Sequence, residues 1–475
     1  MDKISIVISF IVFMLVFTGI GIYSATRHKN TTTDYLLASR SVNFWLTALS
    51  AFATAHSGAM FTGMIGYTYQ VGISAMWLPI GWVVGDALAW VFVYKRLRVA
   101  SAESSCETVG AFLAGNQKGK RAIAIGSALV TLLFLGTYAA AQLVAGSKAL
   151  HVLFGWDYAW GILLGAAIVV FYCFSGGIRA SIWTDAAQSL VMILAMIALL
   201  VISIVACGGV GELWSQLKTI DPLLVNPSPS NLKWGAFAFG LGWLASGLAV
   251  LGQPHILVRA MAIDSAENIR LSRNLYLLCY TIFSAAAIGV GLTARVLMPQ
   301  LMNANSDPEL ALTLLSVELL PGVFVGVILA GLFAAVISTT DSQILSCSAA
   351  LTQDLFPQAS KSYNMAKVGT LAATGVILAI ALVGNQNVFA LATLGWSALG
   401  STLGPLLVVR AFRLPLNAMV AIAMMSVGIA TTLLWRFGLN LSDNVIETLP
   451  AMIATTLVYA IYWLFLTRQT SSKAG

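Results

Sequence analysis

Charge is scarce in this chain: only 9% of its 475 residues are Asp, Glu, Lys or Arg, while 59% are hydrophobic. Soluble domains carry about 25% charge and disordered chains more, so both classes are excluded. Cysteine offers no framework either. Cys106, Cys173, Cys207, Cys279 and Cys347 are dispersed, without the paired spacing of a zinc site or a disulfide scaffold. Histidine is limited to His28, His56, His151 and His255. No metal-ligand cluster and no nucleophile beside a base occurs in the apolar segments, which argues against an enzyme.

Long apolar runs are what the sequence does have, with a mean hydropathy of +0.88. Thirteen segments approach the ~20 residues that a helix needs to cross ~30 Å of hydrocarbon. The prediction is an all-α integral membrane protein in one transmembrane domain: an extra N-terminal helix at 4–23, a first repeat at 44–207, a second at 234–409 and two C-terminal helices at 418–467. The first run has no small-residue cleavage site and reads as a retained helix. Assigning alternate loops to opposite sides places nineteen of the 25 Lys and Arg residues together. That asymmetry predicts the N-terminus outside and the C-terminus cytoplasmic. The net charge of +7 follows from this topology, so the partners expected are the lipid bilayer and a small solute, with no nucleic acid.

Two expected spans contain breaks. The second carries Ala53-Thr54-Ala55-His56-Ser57-Gly58 and the seventh carries Gly252-Gln253-Pro254-His255. Their separation by five spans is that of two inverted five-helix repeats, each opening with a discontinuous helix and placing its ligands near the midplane. Close packing through small residues is the rival reading for either break alone, as it is for Gly400 and Gly404.

The ninth segment carries Ser338, Thr339, Thr340, Asp341 and Ser342 in succession. Oxygen atoms at membrane depth are costly unless satisfied, and this run suits a hard, dehydrated cation. Asp86, Asp185 and Asp341 also lie inside spans. If their helices pack together, Asp185, Thr340 and Asp341 share a second cation; hydrogen-bonded structural acids are the alternative. Asp86 has no nameable partner. His56, inside the first break, is a candidate for solute or proton contact, whereas His255 suits a satisfied structural role.

Asp34-Tyr35-Leu36-Leu37, Phe174-Ser175-Gly176-Gly177, Trp183-Thr184-Asp185, Gly252-Gln253-Pro254-His255-Ile256-Leu257, Ala334-Ala335-Val336 with Ser338-Thr339, Asp354-Leu355 and Gly404-Pro405 occur in this order. On these motifs the chain resembles the sodium/solute symporters, and their proline-carrying branch most closely. The resemblance implies thirteen helices around a five-plus-five inverted-repeat core of the leucine-transporter type. It implies a sodium ion held by the carbonyls of Ala53, His56 and Ala335 and the hydroxyls of Ser338 and Thr339. Asp185 matches an acid that some relatives use near a second sodium, while Asp341 departs from the proline-carrying pattern, so one or two ions are expected, without an organic cofactor.

The departures concern the solute. Ala55 and His56 replace an acidic and an apolar residue, and Ala59, Ser246 and Val250 replace aromatics, although Trp243 lies one turn away. Tyr138 and Trp396 look like aromatics facing the cavity. Thr54, His56, Ser57, Tyr138, Gln142, Ser246, Gln253 and Trp396 then form a pocket suited to an amino acid such as proline or a small carboxylate. The function expected is sodium-coupled symport of a small solute by alternating access, with a monomer sufficient. The rivals are proton coupling, with His56 or Asp185 titrating, and a membrane sensor, against which the short polar tail 468–475 leaves no output domain.

Overall fold

The computed structural model describes residues 3–26, 31–229, 232–303, 306–357 and 363–471. Arg27, His28, Lys29, Lys361 and Lys473 of the reading above lie outside the described residues, as do the side chains of 172–176, including Cys173 and Phe174-Ser175-Gly176. Among the described residues all repetitive structure is helical, with one isolated bridge between Val42 and Ile263.

The principal helices are α1 (Lys3–Ala25), α2 (Phe44–Ala55), α3 (59–71), α4 (77–103), α5 (120–154), α6 (Tyr158–Phe171), α7 (Gly177–Ala206), α8 (Gly235–Gly252), α9 (Pro254–Ala262), α10 (Ile269–Leu297), α11 (Gly322–Leu355), α12 (Tyr363–Val383), α13 (Val388–Ala411), α14 (Ala418–Gly438) and α15 (Thr448–Ser471). Side-chain caps fix several starts. Asn43 accepts from the Leu46 amide at 3.0 Å, Asn387 from Ala390 at 2.7 Å and Asn417 from Val420 at 2.8 Å.

Among the described residues eleven helices are long and apolar enough to cross a membrane, and Phe44–Ala55 and Tyr158–Phe171 are shorter apolar helices. This differs from thirteen uniform spans for a physical reason. The segment 44–70 is cut at His56, so its first half is too short to span alone, while its second half runs on through a 3₁₀ turn at Gly72–Met76 into α4. Gly72 itself has φ +71°, a backbone that side chains disfavour. Likewise, Gly177 (φ +58°) interrupts the helical path between α6 and α7.

α11 and α13 form the centre, with 78% and 83% of their apolar windows buried; α1 and α15, at 17% each, form the rim. α1 accordingly exposes Ile4, Ile8, Val12 and Leu15, side chains that hydrocarbon solvates. Glycines bring three central helices to backbone contact. A Cβ on Gly81 of α4 would lie 2.4 Å from the Trp243 carbonyl oxygen of α8, and one on Gly247 of α8 would lie 2.1 Å from that of Gly81. On the other flank of α8, a Cβ on Gly252 would meet the Leu399 carbonyl oxygen at 2.2 Å, and one on Gly400 would meet the Ala249 Cβ at 2.1 Å. α8 is therefore held between α4 and α13 at separations that only glycine permits.

Candidate functional site

Both expected breaks are present. α2 stops at Ala55, His56 leaves helical geometry (φ −92°, ψ 73°), and the chain resumes in a wide helical turn at Ala59–Met64. Ser57 starts that turn, its hydroxyl accepting from the Ala59 amide at 3.2 Å. α8 ends in a 3₁₀ turn at Ala249–Gly252, Gln253 is extended, and Pro254, which has no amide hydrogen, opens α9.

Stopping α2 leaves its last carbonyls without their usual partners one turn on. α11 supplies hydroxyls. Ser338 Oγ donates to the Ala53 carbonyl at 3.1 Å and lies 3.3 Å from that of Ala335, while Thr339 Oγ1 donates to the Thr54 carbonyl at 3.1 Å. All five residues are fully buried. Four of the oxygen sources expected for an ion, Ala53, Ala335, Ser338 and Thr339, thus meet at the break. His56 caps α2. Its ring lies against Phe52, Tyr280 and Phe283, with Nδ1–H donating to the Phe52 carbonyl at 3.1 Å and Nε2 facing Ser284 Oγ at 3.5 Å.

A second polar cluster adjoins the first, and it is arranged differently from the one expected. Asp185 pairs with Arg259 at 3.1 Å, accepts from Ser50 at 2.7 Å, and receives Thr54 Oγ1 at 3.4 Å. Arg259 also donates to the His255 carbonyl at 2.5 Å, to Ser50 and Ser181 at 3.2 Å each, and to Ser342. Asp341 accepts from Ser181 at 3.1 Å and Ser342 at 2.9 Å. Thr340 turns back on its own helix, donating to the Val336 carbonyl at 2.5 Å. So Arg259, Ser181 and Ser342 stand where Thr340 was expected, and Asp185 Oδ1 has no hydrogen-bond partner among the described residues. Arg259 is 1% exposed, so its charge is held inside the protein.

The cleft beside the first break is narrow, with a cavity volume of about 10 Å³, room for about one water molecule. It is lined by Ser57, Ala59 and Met60 from the break, Trp82 from α4, Tyr138 from α5, and Phe389, Ala392, Thr393 and Trp396 from α13. Among the described residues no charged side chain lines it. Tyr138 donates to Ser57 at 3.0 Å. The remaining pocket residues of the sequence reading stand behind this lining. The Thr54 hydroxyl faces Asp185, Gln142 Nε2 reaches the Tyr138 carbonyl at 3.4 Å, and Gln253 Nε2 donates to the carbonyls of Ala249 and Trp396 at 3.2 and 3.1 Å. Ser246 accepts from Trp82 Nε1 at 2.9 Å, and its carbonyl accepts from Trp396 Nε1 at 2.6 Å. Trp243 packs instead on Tyr67 and Phe239. Trp82 is the residue that sequence reasoning missed: one tryptophan among apolar neighbours gives no signal until the helix facing it is known.

Two further buried groups find their partners. Asp86 accepts a hydrogen bond from the Tyr276 hydroxyl. Lys148 is buried near the end of α5 with Asp307 and Glu309 at 2.5 Å each. Glu309 also accepts from the amides of Val388 and Phe389 at 3.0 and 2.8 Å, at the positive end of α13. The His255 ring, expected to be satisfied, has no hydrogen-bond partner among the described residues.

Interrupted helices, an oxygen-lined break and an adjoining uncharged cleft inside a helical membrane protein define a secondary transporter. The chain belongs to the Sodium:solute symporter family, whose sequence model matches residues 35–428. It is similar to the high-affinity proline transporter PutP of Bacillus subtilis (strain 168), at 30% identity covering 95% of this chain and 96% of that one. It is also similar to the sodium/proline symporter of Escherichia coli (strain K12), at 32% identity covering 90% and 86%. Among solved structures, a Na+-coupled sialic acid symporter in a substrate-bound outward-open state shares the fold, with a TM-score of 0.78 at 20% identity over 96% of this chain and 98% of that one. Mhp1, a nucleobase-cation-symport-1 family transporter solved in a closed conformation with bromovinylhydantoin bound, follows with a TM-score of 0.57 at 17% identity over 91% and 95%.

Proposed function

We propose that this chain is a sodium-coupled symporter that imports a small amino acid, proline first among candidates, by alternating access. The observation that carries the reading is the meeting of Ser338 and Thr339 hydroxyls with the freed carbonyls of α2. Neutral oxygens of this kind replace part of a sodium ion's hydration shell and still release it, as a cycle requires. The ion site is Ala53, His56, Ala335, Ser338 and Thr339. A second sodium site, around Asp185, Asp341, Ser181 and Ser342, is supported by charge: two buried carboxylates face one guanidinium. The solute lies in the uncharged cleft by Tyr138 and Trp396, its carboxylate toward the N–H groups that follow the first break. Of thirteen crossings, counting the halves about Gly72 and Gly177 separately, ten form the five-plus-five core, with the N-terminus outside. Open space running from Arg259 and Ser342 past Thr108 and Asp354 toward Lys120, Arg121, Arg410 and Arg413 supports a conformation released toward the cytoplasm.

The test is uptake of labelled proline into proteoliposomes with an inward sodium gradient, against choline at the same pH. Uptake that needs sodium is expected. Equal uptake in choline would transfer the coupling to protons, and no proline uptake in either would remove proline as the solute.

A further inference from the structure

Ser246 ties two tryptophans of the cleft, one through its hydroxyl and one through its backbone carbonyl, and it sits on neither of their helices. Trp82 Nε1 donates to its hydroxyl at 2.9 Å and Trp396 Nε1 to its carbonyl at 2.6 Å. The two indoles come to 5.4 Å between ring centroids, inclined by 35°, and Tyr138 meets Trp396 edge-on at 6.2 Å. The approach that makes this possible is built into the backbone. Gly81 and Gly247 let α4 lie directly on α8, and Gly252 and Gly400 let α13 do so from the other side. An aromatic side chain at 246 would stand in the path of Trp82, so a small hydroxyl there and an indole at 82 are two parts of one arrangement.

We infer that Ser246 is a positioning residue and Trp82 a specificity-determining residue for the transported solute. Resting on the symporter reading above, the inference deepens it. The solute is a small zwitterion with no net charge, its compact apolar body against the Trp82 and Trp396 rings and its cationic nitrogen over their electron-rich faces. Aromatic faces attract an ammonium group without a formal counter-charge, and the attraction is stronger when the contact is desolvated. A cleft without a charged side chain leaves a second solute charge unpaired, which is costly at this depth. Removal of the Trp82 anchor loosens the wall on the α4 side and relaxes the limit on ring size.

The experiment measures solute-dependent thermal stabilisation and competition against labelled proline, in sodium, for the wild type, Trp82→Phe, Ser246→Ala and the double variant. The competitors are the four-, five- and six-membered cyclic imino acids, a linear amino acid and a dicarboxylate. The wild type is expected to prefer the five-membered ring. Each single variant should lose roughly three- to tenfold of its discrimination against the six-membered ring, the worth of one hydrogen bond. The double variant should lose no more than either single one, because both remove the same bond. Half-saturating sodium should stay near wild type while discrimination falls, a split that general damage to the fold would not produce. Unchanged discrimination in both single variants, additive losses, or a matching rise in the sodium requirement would overturn the inference. A wild type that ignores proline but answers to another net-neutral zwitterion removes the proline reading alone, and the same variants are then read on that zwitterion. Selection of the dicarboxylate removes the inference.

Discussion

Two residues of α11 and one of α9 carry the sharpest consequences at the scale of single side chains. Ser338→Ala and Thr339→Ala each remove an oxygen from the break. A bond to a charged group is worth about 1.5–3 kcal/mol, so half-saturating sodium should rise roughly ten- to hundredfold with protein yield unchanged; sodium titration of uptake measures this, and an unchanged requirement in both variants would remove the proposed ion site. Arg259 is a different case. Arg259→Gln leaves two buried carboxylates facing no cation, a loss of about 3–5 kcal/mol for a broken buried pair. The purified variant should unfold at a clearly lower temperature, and adding Asp185→Asn should recover part of that loss. A variant as stable as the wild type would mean that Asp185 and Asp341 are not held by this guanidinium.

Helix contacts rather than side-chain chemistry decide the next level. Gly81→Ala and Gly400→Ala would push a methyl group to 2.4 Å from a carbonyl oxygen and 2.1 Å from Ala249, where the opposing atoms are backbone or a Cβ with no freedom to turn aside. Each should cost more than the usual 1–3 kcal/mol of overpacking and show as low yield or an early melting transition. Gly375→Ala, with nothing near its added Cβ, is the matched control and should be neutral. The breaks in α2 and α8 were legible in the sequence because Pro254 and the Ser57-Gly58 pair are local signals. The wide turn at Ala59–Met64 and the run from α3 into α4 were not, since uniformly apolar segments lose the periodicity that marks a boundary. Long-range pairs were hidden for another reason. Arg259 lies 74 residues from Asp185, and Lys148 lies 159 from Asp307, so nothing near either cation announces its partner.

Across the whole molecule, the asymmetry of basic residues proposes an orientation that a tag at each end can test. An N-terminal tag should be cleaved by protease added to intact cells, and a C-terminal tag only after the membrane is opened; the reverse pattern would invert every statement about inside and outside made above. Thr54 joins the two halves of the mechanism at one point. Its carbonyl accepts from Thr339 at the ion site, and its hydroxyl reaches Asp185 in the Arg259 cluster. Were Thr339 to turn its hydroxyl to an ion in the proposed site, the Thr54 carbonyl would lose its donor while the same residue still holds the acid that binds α9 to α7. On that proposal, arrival of the ion on one side would be felt by the closure on the other through the breadth of a single amino acid, with no long relay required.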